Sequence, residues 1–196
     1  MRLSVTELDS FRRFKVLEDM TWEEFLAVML KQRTPTRAME AGRALHTILE
    51  HCAVGELGTV EQDGFTFRFD FDGDIVLPRV RELKGEMQVQ TSVGPVTLVG
   101  VVDGINGAIH DFKLTAKFDA ERYHDSYQWR CYLLMFGGTK FIYDVFVGDE
   151  KPDAWVIREY HPLAFYAYPG MKEDILRELD EFARFTAENV PQRAAA

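Results

Sequence analysis

An α/β fold, with a mixed central sheet flanked by helices, is what the sequence predicts, on three observations. Apolar residues recur at helical spacing near both ends of the chain. Between them lie segments that alternate or are almost unbrokenly apolar and read as strands. One helix with clear start and stop signals interrupts those strands, and the resulting order of helix, strands, helix, strand packs a sheet between helices. The 196 residues, 46% hydrophobic and 28% charged with 15 phenylalanines, can bury a substantial core.

Leu8, Phe11 and Phe14 at i, i+3 spacing predict an N-terminal helix, and Thr21-Trp22-Glu23-Glu24 has the form of a capping box. A second helix should begin near Thr34-Pro35, with proline in the first turn, and run to about Cys52, placing His46 and Glu50 on one face. Residues 65–71, with phenylalanine at every second position, read as a strand with one aromatic face, and Asp72-Gly73-Asp74 as its turn. That turn fits a calcium loop poorly, because Arg81 falls where the twelfth-position glutamate belongs. A β-region follows at 87–90, 96–105 and 108–114. A helix should then run from an Asp119 cap to a Gly137-Gly138 stop. Strands at 140–147 and 155–160 and an amphipathic helix at 171–188 complete the pattern. The expected organisation is one domain: an N-terminal helical element at 1–33, a core at 34–160, and a C-terminal helix and tail at 161–196.

The formal net charge of −9 argues against a protein that coats nucleic acid through a general positive field. Basic residues are instead local, with Lys113, Lys117, Arg122 and Arg130 forming one group. The two cysteines, Cys52 and Cys131, lack the spacing of a thiolate metal site or a disulfide framework. The N-terminus has no apolar signal core and no apolar run is long enough to span a bilayer, so a cytoplasmic protein without a membrane partner is expected.

The segment 101–117, VVDGINGAIHDFKLTAK, sets Asp103, Asp111 and Lys113 among Val99, Val101, Val102, Ile105, Ile109, Phe112 and Leu114. Charges at the rim of a buried sheet normally bind a metal or one another. A divalent cation would relieve the repulsion of two carboxylates, and a lysine two residues beyond one of them projects to the same face. The loop length decides whether they meet. A strict two-residue Asn106-Gly107 turn would put the aspartates on opposite faces. An odd loop, most simply 105–107 with Gly107 left-handed, brings them together.

In order along the chain stand Gly-x-x-x-His (Gly42 to His46), an aspartate at a strand end (Asp103), Asp-x-Lys (Asp111-Phe112-Lys113) and Gln-x-x-x-Tyr (Gln128 to Tyr132). With the opening LSVTELDSFRRF, this series resembles the PD-(D/E)XK nuclease superfamily, in particular its RecB-like exonuclease branch. The resemblance implies a restriction-endonuclease-like core between an N-terminal helical element and a C-terminal helix. It implies that His46, Asp103, Asp111 and the carbonyl of Phe112 hold Mg²⁺ or Mn²⁺. It makes Asp103, Asp111 and Lys113 catalytic, with Lys113 positioning the attacking water, and Gln128 and Tyr132 substrate-binding or site-organising. The implied activity is hydrolysis of DNA phosphodiesters, by an exonuclease at linear ends in repair or recombination, with a homo-oligomer or a helicase or recombinase as partner. A DNA-binding or interaction module that keeps the nuclease fold without catalysis is the alternative. The iron–sulfur cluster of some relatives needs four cysteines and is not expected here. His110 occupies a place more often apolar in that family. Glu50 and Glu86 are outside candidates for the site.

Overall fold

The computed structural model describes residues 1–52 and 57–194. A short strand, β1 (Arg2–Ser4), turns directly into α1 (Val5–Lys15) at Ser4. The Ser4 hydroxyl accepts the Glu7 N–H, and the Glu7 carboxylate accepts the Ser4 N–H, so two backbone donors that a helix start leaves unpaired are satisfied reciprocally. Thr21 and Glu24 do the same ahead of α2 (Trp22–Met29), as the sequence predicts. In α3 (Arg37–His51) the cap is Thr36, whose side chain accepts the Met39 N–H, so Pro35 stands just before the helix rather than in its first turn.

The strands β2 (Thr59–Gln62) and β3 (Phe65–Phe69) form a hairpin, followed by β4 (Val80–Thr91), β5 (Gly94–Ile105) and β6 (Ile109–Thr115). Two short helices, α4 (Ala120–Asp125) and α5 (Gln128–Phe136), lead to β7 (Lys140–Glu150), β8 (Trp155–Tyr166), α6 (Met171–Asn189) and α7 (Pro191–Ala194). The single helix predicted from Asp119 to Gly137 is therefore two. Its ends are as predicted: the Asp119 side chain accepts the Glu121 N–H, and Gly137 closes α5 in the left-handed region at φ 67°. It breaks at Ser126, where the backbone is extended (φ −61°, ψ 138°) and the hydroxyl donates to Asp9 on α1 while accepting the Gln128 N–H at the start of α5. The strands β1 and β2 are too short to carry a readable pattern, and β4, β7 and β8 outrun their predicted lengths. Residues 195–196 of the predicted tail lie outside the described residues.

Among the described residues eight strands form one mixed sheet in the order β1-β5-β6-β7-β8-β3-β2, with β4 on the other edge of β5. The pairs β1–β5, β6–β7 and β3–β8 are parallel, the rest antiparallel. Helices α4 and α5 supply the crossover that the parallel β6–β7 pair requires. The core has two parts, one on each side of the sheet. On one side Leu8, Phe11, Phe25, Leu133, Leu179 and Phe182 bring α1, α2, α5 and α6 together. On the other, α3 lays down Ala41, Ala44, Leu45 and Ile48, an i, i+3, i+4, i+7 stripe, against Phe67, Phe112 and Phe146. Alternation along β6 assigns its residues accordingly: Phe112 faces α3, so Asp111 and Lys113 face α1 and α5. Among the described residues no helix is long and apolar enough to cross a membrane.

Candidate functional site

One edge of β5 is held along its length by β4. The other is shared: β1 pairs with it at Thr97, Leu98 and Val99, and β6 only at Gly104 and Ile105. Residues 100–103 pair with neither strand on that edge, so the sheet opens there. The loop between β5 and β6 has an odd length, as expected. It is Asn106–Ala108, one residue further on than the expected 105–107, with Gly107 left-handed at φ 69°. Ile105 pairs with Ile109 and Gly104 with His110, and there the β5–β6 pairing stops, so Asp103 reaches the site from the opened stretch of β5 and not from a ladder position opposite Asp111.

Asp103 turns its carboxylate into the opening. Its Oδ2 accepts the Phe112 backbone N–H at 2.6 Å, and its Oδ1 lies 3.3 Å from Nδ1 of His46, which reaches in from α3. The His46 ring also meets the Phe112 ring edge-on at 5.9 Å between centroids. Asp111 is buried on the other side of β6. The side-chain amide of Gln128 donates to its Oδ1 at 2.8 Å. Its Oδ2 meets the Lys113 ammonium in an ion pair rather than an aligned hydrogen bond. Tyr132, one turn beyond Gln128, is buried with its ring on Phe141, and its hydroxyl has Gln128 and the Val101 backbone as partners. The structure thus gathers His46, Asp103, Asp111, Phe112, Lys113, Gln128 and Tyr132 at one opening of the sheet. Glu86 is not brought there: it pairs with Arg2 at 3.2 Å on the surface. The backbone carbonyl of Glu50 accepts from the Arg81 guanidinium.

The charges are held unequally. Burial, reinforced by Asp103, pushes the Asp111 carboxyl up to about 6 against the opposing pull of Lys113. Burial also acts to raise Asp103, but His46, Lys113 and the Phe112 N–H outweigh it and hold this carboxyl below its ordinary value. Burial would lower Lys113, yet Asp111 and Asp103 hold its ammonium above the usual lysine value. His46 is likewise raised, Asp103 overcoming its desolvation. The site therefore keeps one firmly ionised carboxylate, one poised carboxyl and one permanent cation.

Among the described residues no three His, Cys, Asp or Glu side chains close into a ligand shell, since Lys113 stands against Asp111 and His46 against Asp103. The donors themselves suit a hard divalent cation: two carboxylates from adjacent strands and one imidazole nitrogen, converging where Asp111 has a fully buried oxygen set against a lysine.

Three polar residues beside the site are not evident from sequence. Asp9 on α1 accepts from the Ser126 hydroxyl at 2.8 Å and the Tyr127 N–H at 3.0 Å, and Tyr143 on β7 reaches both Ser126 and Gln128. These come together only when α1, β7 and the broken helix meet, and no local spacing announces that. His110, which takes a usually apolar place, proves to be a satisfied core residue. Its Nδ1 lies 2.7 Å from Oδ2 of Asp144, whose Oδ1 accepts the Tyr160 hydroxyl, all on the face away from Asp111. Beside Lys113 a cleft of about 310 Å³ runs between α1 and α4, with Asp9, Arg12, Arg13, Arg122 and Tyr143 among its walls.

No family model and no curated protein matches the sequence. In structure the chain is similar to SSO0001, whose crystal structure superposes with a TM-score of 0.51 at 13% identity, over 92% of this chain and 74% of that one. At such identity the likeness shows a shared fold alone.

Proposed function

We propose that this chain is a divalent-metal-dependent DNA nuclease with a PD-(D/E)XK core, acting as an exonuclease at linear ends. The observation that carries this reading is the convergence of Asp103, Asp111, Lys113 and His46 at the one place where β5 is released by both β1 and β6. Two carboxylates, an imidazole and an ammonium within one opening are more charge than core packing explains.

His46, Asp103, Asp111 and the carbonyl of Phe112 would hold Mg²⁺ or Mn²⁺, which supplies a more acidic bound water and neutralises charge on a phosphate. Lys113, kept cationic by its carboxylate neighbours, would orient a water and stabilise negative charge developing on the phosphorus oxygens. The Phe112 N–H fixes the Asp103 carboxylate and the Gln128 amide fixes that of Asp111, so neither has to reorganise during reaction. Arg12, Arg13 and Arg122 in the neighbouring cleft give a polyanionic strand a path toward Lys113. Homo-oligomerisation or a helicase or recombinase partner would supply processivity, since the chain carries no phosphate-binding loop of its own.

The test compares linear duplex, circular duplex and single-stranded DNA, with Mn²⁺ or Mg²⁺ and with chelator. Linear substrate should be degraded only with metal, and Lys113→Ala or Asp111→Ala should lower the rate at least ~100-fold, in line with loss of a principal electrostatic group. Metal-dependent degradation that survives both substitutions would reject the site.

A further inference from the structure

Tyr143 is fully buried on β7, facing the same side as Asp111, which is its register partner on β6. Its ring packs against Phe141 at 4.7 Å and Tyr123 at 5.0 Å, and the Lys113 ammonium lies over it at 5.5 Å. Its hydroxyl sits 3.1 Å from the Ser126 hydroxyl and 3.4 Å from Oε1 of Gln128, the longest link of the set. Ser126 in turn donates to Asp9 on α1 at 2.8 Å and accepts the Gln128 backbone N–H at 3.1 Å. Burial holds the Tyr143 phenol well above its ordinary pKa, so it remains a donor.

Donor accounting decides what this cluster does. Ser126 has one hydroxyl proton, and the Asp9 carboxylate is the stronger acceptor for it. Tyr143 therefore shares its own proton between Ser126 Oγ and Gln128 Oε1. A carboxamide has an oxygen and a nitrogen of nearly equal shape, and only the nitrogen can donate to Asp111. A phenolic donor on Oε1 favours the orientation that keeps Nε2 on Asp111 and disfavours the flipped one, which would face oxygen with oxygen.

We infer that Tyr143 is a positioning residue of the candidate metal site, anchored through Ser126 to Asp9 on α1, and that it acts by fixing the carboxamide of Gln128 on Asp111. The inference rests on the metal-dependent reading above. It makes the N-terminal helix part of the site, because Asp9 holds both the hinge between α4 and α5 and, through it, the residue that steadies a metal-binding carboxylate.

The experiment is Mn²⁺ binding to the purified full chain, by calorimetry or by electron paramagnetic resonance of the free ion, with no nucleic acid present. Tyr143→Phe keeps the ring and its contact with Lys113 and removes only the hydroxyl. It should weaken Mn²⁺ binding ~10-fold, within the ~10–100-fold range of losses for outer-shell partners of metal ligands. Gln128→Ala should weaken binding as well, and the double variant should be no worse than Gln128→Ala alone, because the hydroxyl acts through that amide. Tyr160→Phe, which removes a buried hydroxyl on the opposite face, should leave Mn²⁺ affinity unchanged. Wild-type affinity in Tyr143→Phe, additive losses in the double variant, or an equal loss in Tyr160→Phe would each overturn the inference while leaving the metal site standing. Absence of Mn²⁺ binding by the wild-type chain would overturn the metal-dependent reading itself, and the inference with it.

Discussion

Asp103 and Asp111 are the same residue type at one opening, and the fold drives their carboxyl groups apart: one below its ordinary range, one up to about 6. The difference is in their partners. Asp103 has an imidazole and a backbone N–H, while Asp111 is buried with a second carboxylate close enough to oppose its ionisation. A consequence in pH follows. Because the folded-state value of Asp111 lies above the unfolded one of 3.8, the stability this carboxyl contributes is present below about pH 4 and is lost as pH rises through about 6. Its affinity for a cation runs the other way, since the proton must leave before the metal can bind. Mn²⁺ affinity should therefore rise more than about tenfold between pH 5 and 6, where Asp111 and His46, itself raised, both still hold protons, and less steeply above that as Asp111 finishes titrating and His46 is left as the main group with a proton to lose. Calorimetric Mn²⁺ titrations at pH 5, 6, 7 and 8 check this, and a pH-independent affinity would show that Asp111 is not a ligand. Which residues carry charge in this segment was legible in the sequence, because charge amid valine and isoleucine is conspicuous. Which way each is shifted was not, because it depends on Gln128, His46 and Lys113 meeting in space.

At the scale of elements, the β5–β6 loop does most to assemble the site. Its three residues bring β6 back beside β5 so that Asp103 and Asp111 border one opening, and Gly107 makes that length possible by entering the left-handed region. A Cβ at Gly107 would meet nothing within 4 Å, so its requirement is conformational and not steric. Gly107→Ala should accordingly cost ~1–2 kcal/mol with the site chemistry retained, seen as a lower denaturant midpoint with an unchanged m-value. A neutral substitution would mean that the turn has another conformation. Gly100 makes a contrast: a Cβ there would fall 2.4 Å from the ring of Tyr132, so the close approach of α5 to β5 depends on its absence. The sequence made an odd loop readable as one of the only two answers that two-residue periodicity allows, but not that the ladder would stop before Asp103. It placed the loop one residue early because Ile105 continues the strand as well as it could begin a turn. It also joined α4 to α5, since nothing local in Ser126-Tyr127 forbids a helix. The break comes from Asp9, 117 residues away, drawing off the Ser126 hydroxyl. The long-range parallel pairings β1–β5 and β3–β8 were illegible for the same reason, one strand of each pair being only three or five residues long.

For the molecule as a whole, a net charge of −9 must be reconciled with a polyanionic substrate. The cleft beside Lys113 offers four cations, but three already face carboxylates of this chain: Arg12 with Glu178, Arg13 with Asp19, and Lys113 with Asp111. Paired cations attract a phosphate less than bare ones, and the surrounding negative field works against a strand approaching anywhere else. Binding should then be short in reach and weakly dependent on salt. Single-stranded nucleic acid loses affinity with a logarithmic slope of about −0.7 per neutralised phosphate, so full use of four cations gives a slope no steeper than about −3. Fluorescence anisotropy of a labelled single-stranded oligonucleotide in chelator, titrated between 50 and 200 mM KCl, should show a fall of no more than about fifty-fold. A slope approaching −10 would place the contact along an extended basic surface instead of in this cleft. No measurable binding to DNA of any form, alongside retained Mn²⁺ affinity, would move the reading from nucleic acid toward a small phosphoester, for which a cleft of about 310 Å³ is also large enough.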